Sequence, residues 1–121
     1  MKTATVKIRD KEYLLCFSTQ VLIELEERSG DAQAELSRIL NDMRIKDMFW
    51  LLHAMMRAGA KYAELEEKDN PPPLSFEELV GSVGIDEYES MFDAVSSTVA
   101  AGTTPDVEVK TPKNIKTTRA K

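Results

Sequence analysis

Apolar residues recur with two different periods along this chain, and the change of period marks its elements. From Thr5 to Phe17 they alternate: Val6 and Ile8 stand between Lys7 and Arg9, and Tyr13, Leu15 and Phe17 interleave with Leu14 and Cys16. A period of two predicts strands, the first half-exposed over Thr5–Arg9 and the second apolar on both faces over Glu12–Phe17. Asp10-Lys11 between them predicts a two-residue turn, although without the glycine such turns prefer. From Thr19 onward the spacing becomes helical. Leu22 and Leu25, with Val21 and Ile23 beside them, supply a buried stripe for a helix over Thr19–Ser29, with Ser18 or Thr19 as its cap and Gly30 as its stop. Leu36, Ile39 and Leu40 predict a short helix over Ala34–Leu40, interrupted at Asn41-Asp42.

A long helix is then predicted from about Arg44 to Lys68. Its middle, Met48 to Met56, is apolar nearly all round, and a helix without a polar face is either central to the fold or meets a partner. Toward its end Glu64 stands four residues before Lys68, a favourable pairing on a helix. Pro71-Pro72-Pro73 removes three amide donors and forces a stiff, extended spacer. Ser75-Phe76-Glu77-Glu78 reads as a capping box opening a short helix that closes by Gly81 to Gly84. Asp86-Glu87-Tyr88-Glu89 opens the last helix in the same manner; Tyr88, Met91, Phe92, Val95 and Val99 form its stripe, and Gly102 its stop. The expected fold is mainly α with a small N-terminal β-hairpin (α+β): one domain over residues 1–102, a long central helix and a C-terminal helix pair folded back across the prolines. Residues 103–121 have almost no apolar content and are broken by Pro105 and Pro112, which predicts a flexible, disordered polar tail.

At 121 residues and 42% apolar composition there is room for one domain with one modest core. The net charge of −5 is unevenly placed. Residues 103–121 hold five basic side chains against two acidic ones, a balance of +3, so residues 1–102 carry −8. An acidic body argues against nucleic-acid binding, which needs basic surface to displace counterions from phosphates. The single cysteine, Cys16, cannot form an internal disulfide and suits a cytosolic setting. Met1–Arg9 is charged and lacks the apolar core of a secretory signal, and the longest apolar run is far too short to span a bilayer.

Little in the chain resembles catalytic machinery. Cys16 and His53 are the only candidates for a thiol nucleophile with its base, and both sit in apolar surroundings. A transition-metal site wants several His or Cys ligands, and the chain has one of each. Glu26-Glu27, Glu66-Glu67 and Glu77-Glu78 are neighbours on helices, so their carboxylates diverge by about 100° and do not converge on one substrate. The five glycines are dispersed and form no phosphate loop. No enzyme activity, cofactor or metal is therefore expected. The region around Trp50 points to binding instead, because aromatics and flexible methionines favour adaptable interfaces. Phe49, Trp50, Leu52 and Met56 are the candidate partner-binding residues, on a self-association or client groove, the alternative being that strands and flanking helices cover them as core. The acidic segment Asp69–Asp93 holds seven acidic residues and no basic one, a solvated face or a surface that steers association.

The order of elements also carries a resemblance. A small N-terminal hairpin, then Phe17-Ser18-Thr19, a short apolar helix with the paired Glu26-Glu27 and a closing Gly30, resembles the tail assembly chaperones of long-tailed (siphovirus-type) bacteriophages. The likeness extends from Val6 to about Gly102 as an order of elements, and the chain length, helical remainder and polar tail agree with it. It implies a protein of the bacterial host's cytoplasm that binds and solubilises the tape-measure protein, recruits tail-tube subunits during tail morphogenesis and is absent from the finished virion, with homo-oligomers as a further possibility. A structural tail protein retained in the virion, or a small adaptor unrelated to phage, are the competing expectations.

Overall fold

The structure, a computed structural model, describes residues 1–103. Two strands, β1 (Thr3–Ile8) and β2 (Lys11–Cys16), are followed by five helices: α1 (Thr19–Ser29), α2 (Ala32–Asp42), α3 (Ile45–Leu65), α4 (Phe76–Ser82) and α5 (Tyr88–Gly102). The protein is thus mainly helical with a two-stranded antiparallel hairpin at its N-terminus. Of the polar tail expected over residues 103–121, all but Thr103 lies outside the described residues.

Pairing of Val6 with Tyr13 and of Ile8 with Lys11 leaves Arg9-Asp10 as the loop of the hairpin, one residue earlier than Asp10-Lys11. Arg9 takes a positive φ of 60°, the conformation a glycine would ordinarily supply there. Val6, Ile8, Tyr13 and Leu15 are buried. Helix α3 lies along β2, α5 packs on β1, and the two helices also meet each other, so the first and last elements of the domain share one core. The closest approach is at Gly59. A Cβ there would overlap the Leu14 carbonyl and lie 3.0 Å from the Leu15 nitrogen, so α3 can rest directly on the strand backbone only because position 59 has no side chain. Farther along, the Leu14 amide donates to Asn70 Oδ1 (3.0 Å), which ties the start of the proline segment to the outer edge of β2.

Several boundaries differ from expectation for local reasons. In α1 only Val21 and Leu25, one turn apart, are buried, whereas Leu22 and Ile23 are exposed because successive helical residues diverge too far to share one contact face. Ser18 occupies the cap position, but neither its hydroxyl nor any other side chain makes the cap bond; its carbonyl accepts from Val21 and Leu22 instead. Gly30 closes the helix at φ 89°. Helix α2 begins earlier, where the Asp31 carboxylate accepts from the Ala34 amide (3.1 Å), and runs through Asn41-Asp42 to a left-handed stop at Met43. Helix α3 ends at Leu65, so Lys68 lies beyond it and the Glu64–Lys68 pair does not form. Glu64 pairs with Lys61 (3.1 Å), and Lys68 sits 5.3 Å from the centre of the Tyr62 ring.

The capping box of α4 is present in full: Glu78 N donates to Ser75 Oγ (3.1 Å) and Ser75 N to Glu78 Oε1 (2.9 Å). Helix α5 has no equivalent, since Glu87 uses its carboxylate to accept from the Gly84 amide (2.9 Å). Met91, Phe92, Val95 and Val99 bury its stripe, with Tyr88 half-buried at the start. Gly102 is the last helical residue rather than a left-handed stop, and it packs against Phe17.

Candidate partner-binding face

The apolar middle of α3 is absorbed almost entirely by the protein's own core. Leu52 and Met56 have no exposed surface, and Phe49 is nearly covered, its ring edge-to-face with Phe92 at 6.0 Å. The expectation of a groove through Leu52 and Met56 is therefore corrected. The hairpin covers one side of α3 while α1, α4 and α5 cover the rest, so these side chains cannot reach a partner without the domain opening.

Trp50 is half-buried and already has a lid. The Arg28 guanidinium lies 4.2 Å from the centre of its ring, close enough for a cation–π contact. Arg28 is held there by Glu35 (3.1 Å) and Asp47 (2.8 Å), and Arg38 braces the same two carboxylates at 2.7 and 3.0 Å. Hydrogen bonds from Arg38 hold the Glu35 carboxyl below its ordinary range. Burial pushes Asp47 upward, but hydrogen bonds from Arg28 and Arg38 outweigh it and leave the carboxyl lowered. These four charges join α1, α2 and α3 and make Trp50 part of a brace between helices.

His53 is structural too. Its Nε2 lies 2.8 Å from the Leu74 carbonyl oxygen, which only accepts, so Nε2 carries the proton. Nδ1 receives a long bond from Arg57 Nε (3.5 Å) and therefore stays bare, while Arg57 forms a two-pronged pair with Glu24 (2.6 and 2.8 Å). Burial pushes the imidazole's pKa down. Cys16 is buried in β2, where desolvation pushes its thiol up and away from the reactive thiolate. Among the described residues no group of three His, Cys, Asp or Glu side chains is arranged to hold a metal, and no helix is long and apolar enough to cross a membrane.

The apolar surface left in water lies elsewhere. A depression of about 350 Å³ opens between the start of α3, the end of α4 and the link into α5, lined chiefly by Ile45, Phe49, Val80, Val83, Ile85 and Tyr88. A second, of about 530 Å³, adjoins it through Ile45 and Tyr88 and continues past Met43 and Phe92 to Glu89 and Asp93. Together they make one groove. Ile85 is 89% exposed, Ile45 59%, Met43 44% and Val80 40%, so half of the exposed large apolar side chains among the described residues collect here. Of the four candidates named from the sequence, Phe49 alone lines this groove, as its floor. Val80, Ile85 and Met43 went unnoticed because they stand beside Gly81, Gly84 and Arg44, where the chain pattern signals helix ends. Their one distinguishing mark was that none belongs to a buried stripe: Val80 is exposed on α4, and Met43 and Ile85 lie between helices.

Comparison of the chain with protein-family models, with curated proteins and with solved structures gives no match.

Proposed function

We propose that this protein is a phage tail assembly chaperone, which binds the tape-measure protein, keeps its apolar stretches soluble and recruits tail-tube subunits while the tail is built in the host cytoplasm. The observation that carries this reading is the exposed apolar groove along Ile45, Val80 and Ile85, on a domain whose other polar clusters are spent on holding helices together. A small domain that leaves several large aliphatic side chains together in water presents the kind of surface that takes the apolar face of another chain. The order of elements from Val6 to Gly102 supplies the choice of partner, by resemblance to the tail chaperones.

Co-expression with the tape-measure protein encoded nearest its gene tests this. The tape-measure protein is expected to move from the pellet to the supernatant and to elute with this protein on size exclusion. If it stays insoluble at equal expression, the chaperone reading is wrong. Mass spectrometry of purified particles should find no copies; stoichiometric amounts would make the protein a structural subunit instead.

A further inference from the structure

We infer that the groove takes an amphipathic helix of cationic character, with Lys or Arg one turn apart beside an apolar stripe. This rests on the chaperone reading above and adds to it the chemistry of the client segment. The apolar half of the groove is set by Ile45, Val80 and Ile85 over the Phe49 floor. Its wall is acidic. Glu89 and Asp93 line the second depression from α5, four residues and so one helical turn apart. Outside the lining itself, Glu77 is exposed three residues before Val80 on α4, and Asp86 is exposed beside Ile85.

None of these four carboxylates forms an ion pair among the described residues, although every acidic group around Trp50 and His53 has its arginine. Two like charges one turn apart weaken a helix. Here they flank exposed aliphatic side chains that also gain nothing from water, and one ligand relieves both conditions. The basic residues beside Ile45 in sequence, Arg44 and Lys46, are exposed but, like Glu77 and Asp86, do not line the groove, so the charged groups in its lining are Glu89 and Asp93, both acidic. A second copy of this chain would bring the same acidic wall to the same acidic wall, so charge disfavours a symmetric dimer through this face.

The test uses the full chain and three fluorescein-labelled synthetic helical peptides that share one leucine stripe and carry lysine, glutamine or glutamate on the flanking positions. Fluorescence anisotropy at low salt should show the lysine peptide binding at least ten-fold more tightly than the glutamate peptide, with the glutamine peptide between them. Ile85→Asp alters a side chain that is almost wholly in water, so the domain keeps its circular dichroism and melting curve, and it should weaken the lysine peptide ten-fold or more. The double variant Glu89→Lys with Asp93→Lys should reverse the order of the peptides. Equal binding of all three peptides, or lysine-peptide binding indifferent to both variants, would overturn the inference.

So would two other results. Self-association on sedimentation that disappears in Ile85→Asp would give the groove to a second copy. Lysine-peptide binding that appears only after Lys110, Lys113 and Lys116 are changed to Gln would give it to this chain's own C-terminal segment. Failure here is separable from failure of the chaperone reading. A tape-measure protein that is solubilised equally by the natural chain and by Ile85→Asp keeps the chaperone and loses the groove. Charge-selective peptide binding without solubilisation keeps the groove and loses the phage assignment.

Discussion

Replacing Gly59 with alanine sets two opposed effects against each other at one atom. Glycine inside a helix is less favourable than alanine by about 1 kcal/mol, so propensity alone makes Gly59→Ala stabilising. The packing says otherwise. The new methyl carbon would fall inside the Leu14 carbonyl group and within 3.0 Å of the Leu15 nitrogen, and both are main-chain atoms that cannot turn aside as a side-chain tip could. Either α3 or β2 must shift, and each shift pulls apart contacts around Leu15, Met55 and Met56, all fully buried. Overpacking of this kind costs about 3 kcal/mol or more when the obstacle is rigid, leaving a net loss of about 2 kcal/mol after the propensity gain. For a domain of this size that lowers the melting temperature by roughly 8–16 °C.

Gly81→Ala is the control. It also lies in a helix, its Cβ would meet nothing within 4 Å, and it should be neutral to slightly stabilising. Urea unfolding followed by the fluorescence of the single tryptophan measures both, with an unchanged denaturant slope as the sign that only stability has moved. A Gly59→Ala protein as stable as the natural chain, or more so, would refute the close approach of α3 to β2.

Three further outcomes follow from the polar clusters and the buried thiol. Arg28→Ala removes the lid from Trp50 and one partner each from Glu35 and Asp47; a loss of about 1–2 kcal/mol is expected, with a red-shifted emission and faster acrylamide quenching, and an unchanged spectrum would contradict the brace. Stability should fall as the solution is acidified from neutral. His53 is lowered by burial, so the unfolded chain takes up its proton first and stability drops as pH passes below about 6.5; Glu24, Glu35 and Asp47 are lowered as well, so a second loss begins near pH 4. Urea titrations from pH 8 to 3 test this, and His53→Gln should flatten only the upper step; a stability that rises on acidification would refute the assignments. Cys16 should resist Ellman's reagent at pH 8 in the native protein and react promptly in urea, whereas prompt labelling without denaturant would show the β2 face to be open.

What could be read from the sequence was whatever depends on near neighbours. The hairpin, the capping box at Ser75–Glu78 and the stripe of α5 are written in spacings of two to four residues, and each appears in the fold. Which apolar residues end up wet depends instead on what lies across from them. Leu22 and Ile23 looked as suitable for a core as Val21, yet α1 presents only a narrow face to its neighbours. The run from Met48 to Met56 looked too greasy for so small an interior because nothing local announces that the hairpin, α1, α4 and α5 all close on one helix. The same blindness hid the groove: Ile85 is an isolated aliphatic residue between Gly84 and Asp86, and only the meeting of three segments turns it into a surface. Trp50 misled for the opposite reason, since the arginine that covers it comes from 22 positions away.

The contact between β1 and α5 has a bearing on synthesis. On the ribosome the hairpin emerges ahead of every helix that covers it: α3 reaches β2 first, and the side of β1 that meets α5 stays uncovered until residues near Gly102 are out. Any product that stops before α5 therefore leaves β1 bare where that helix would pack, even with α3 seated on β2. Such fragments should partition to inclusion bodies or to the cell's proteases, and a stop codon placed ahead of Tyr88 should lower the recovery of folded material far more than one placed after Thr103.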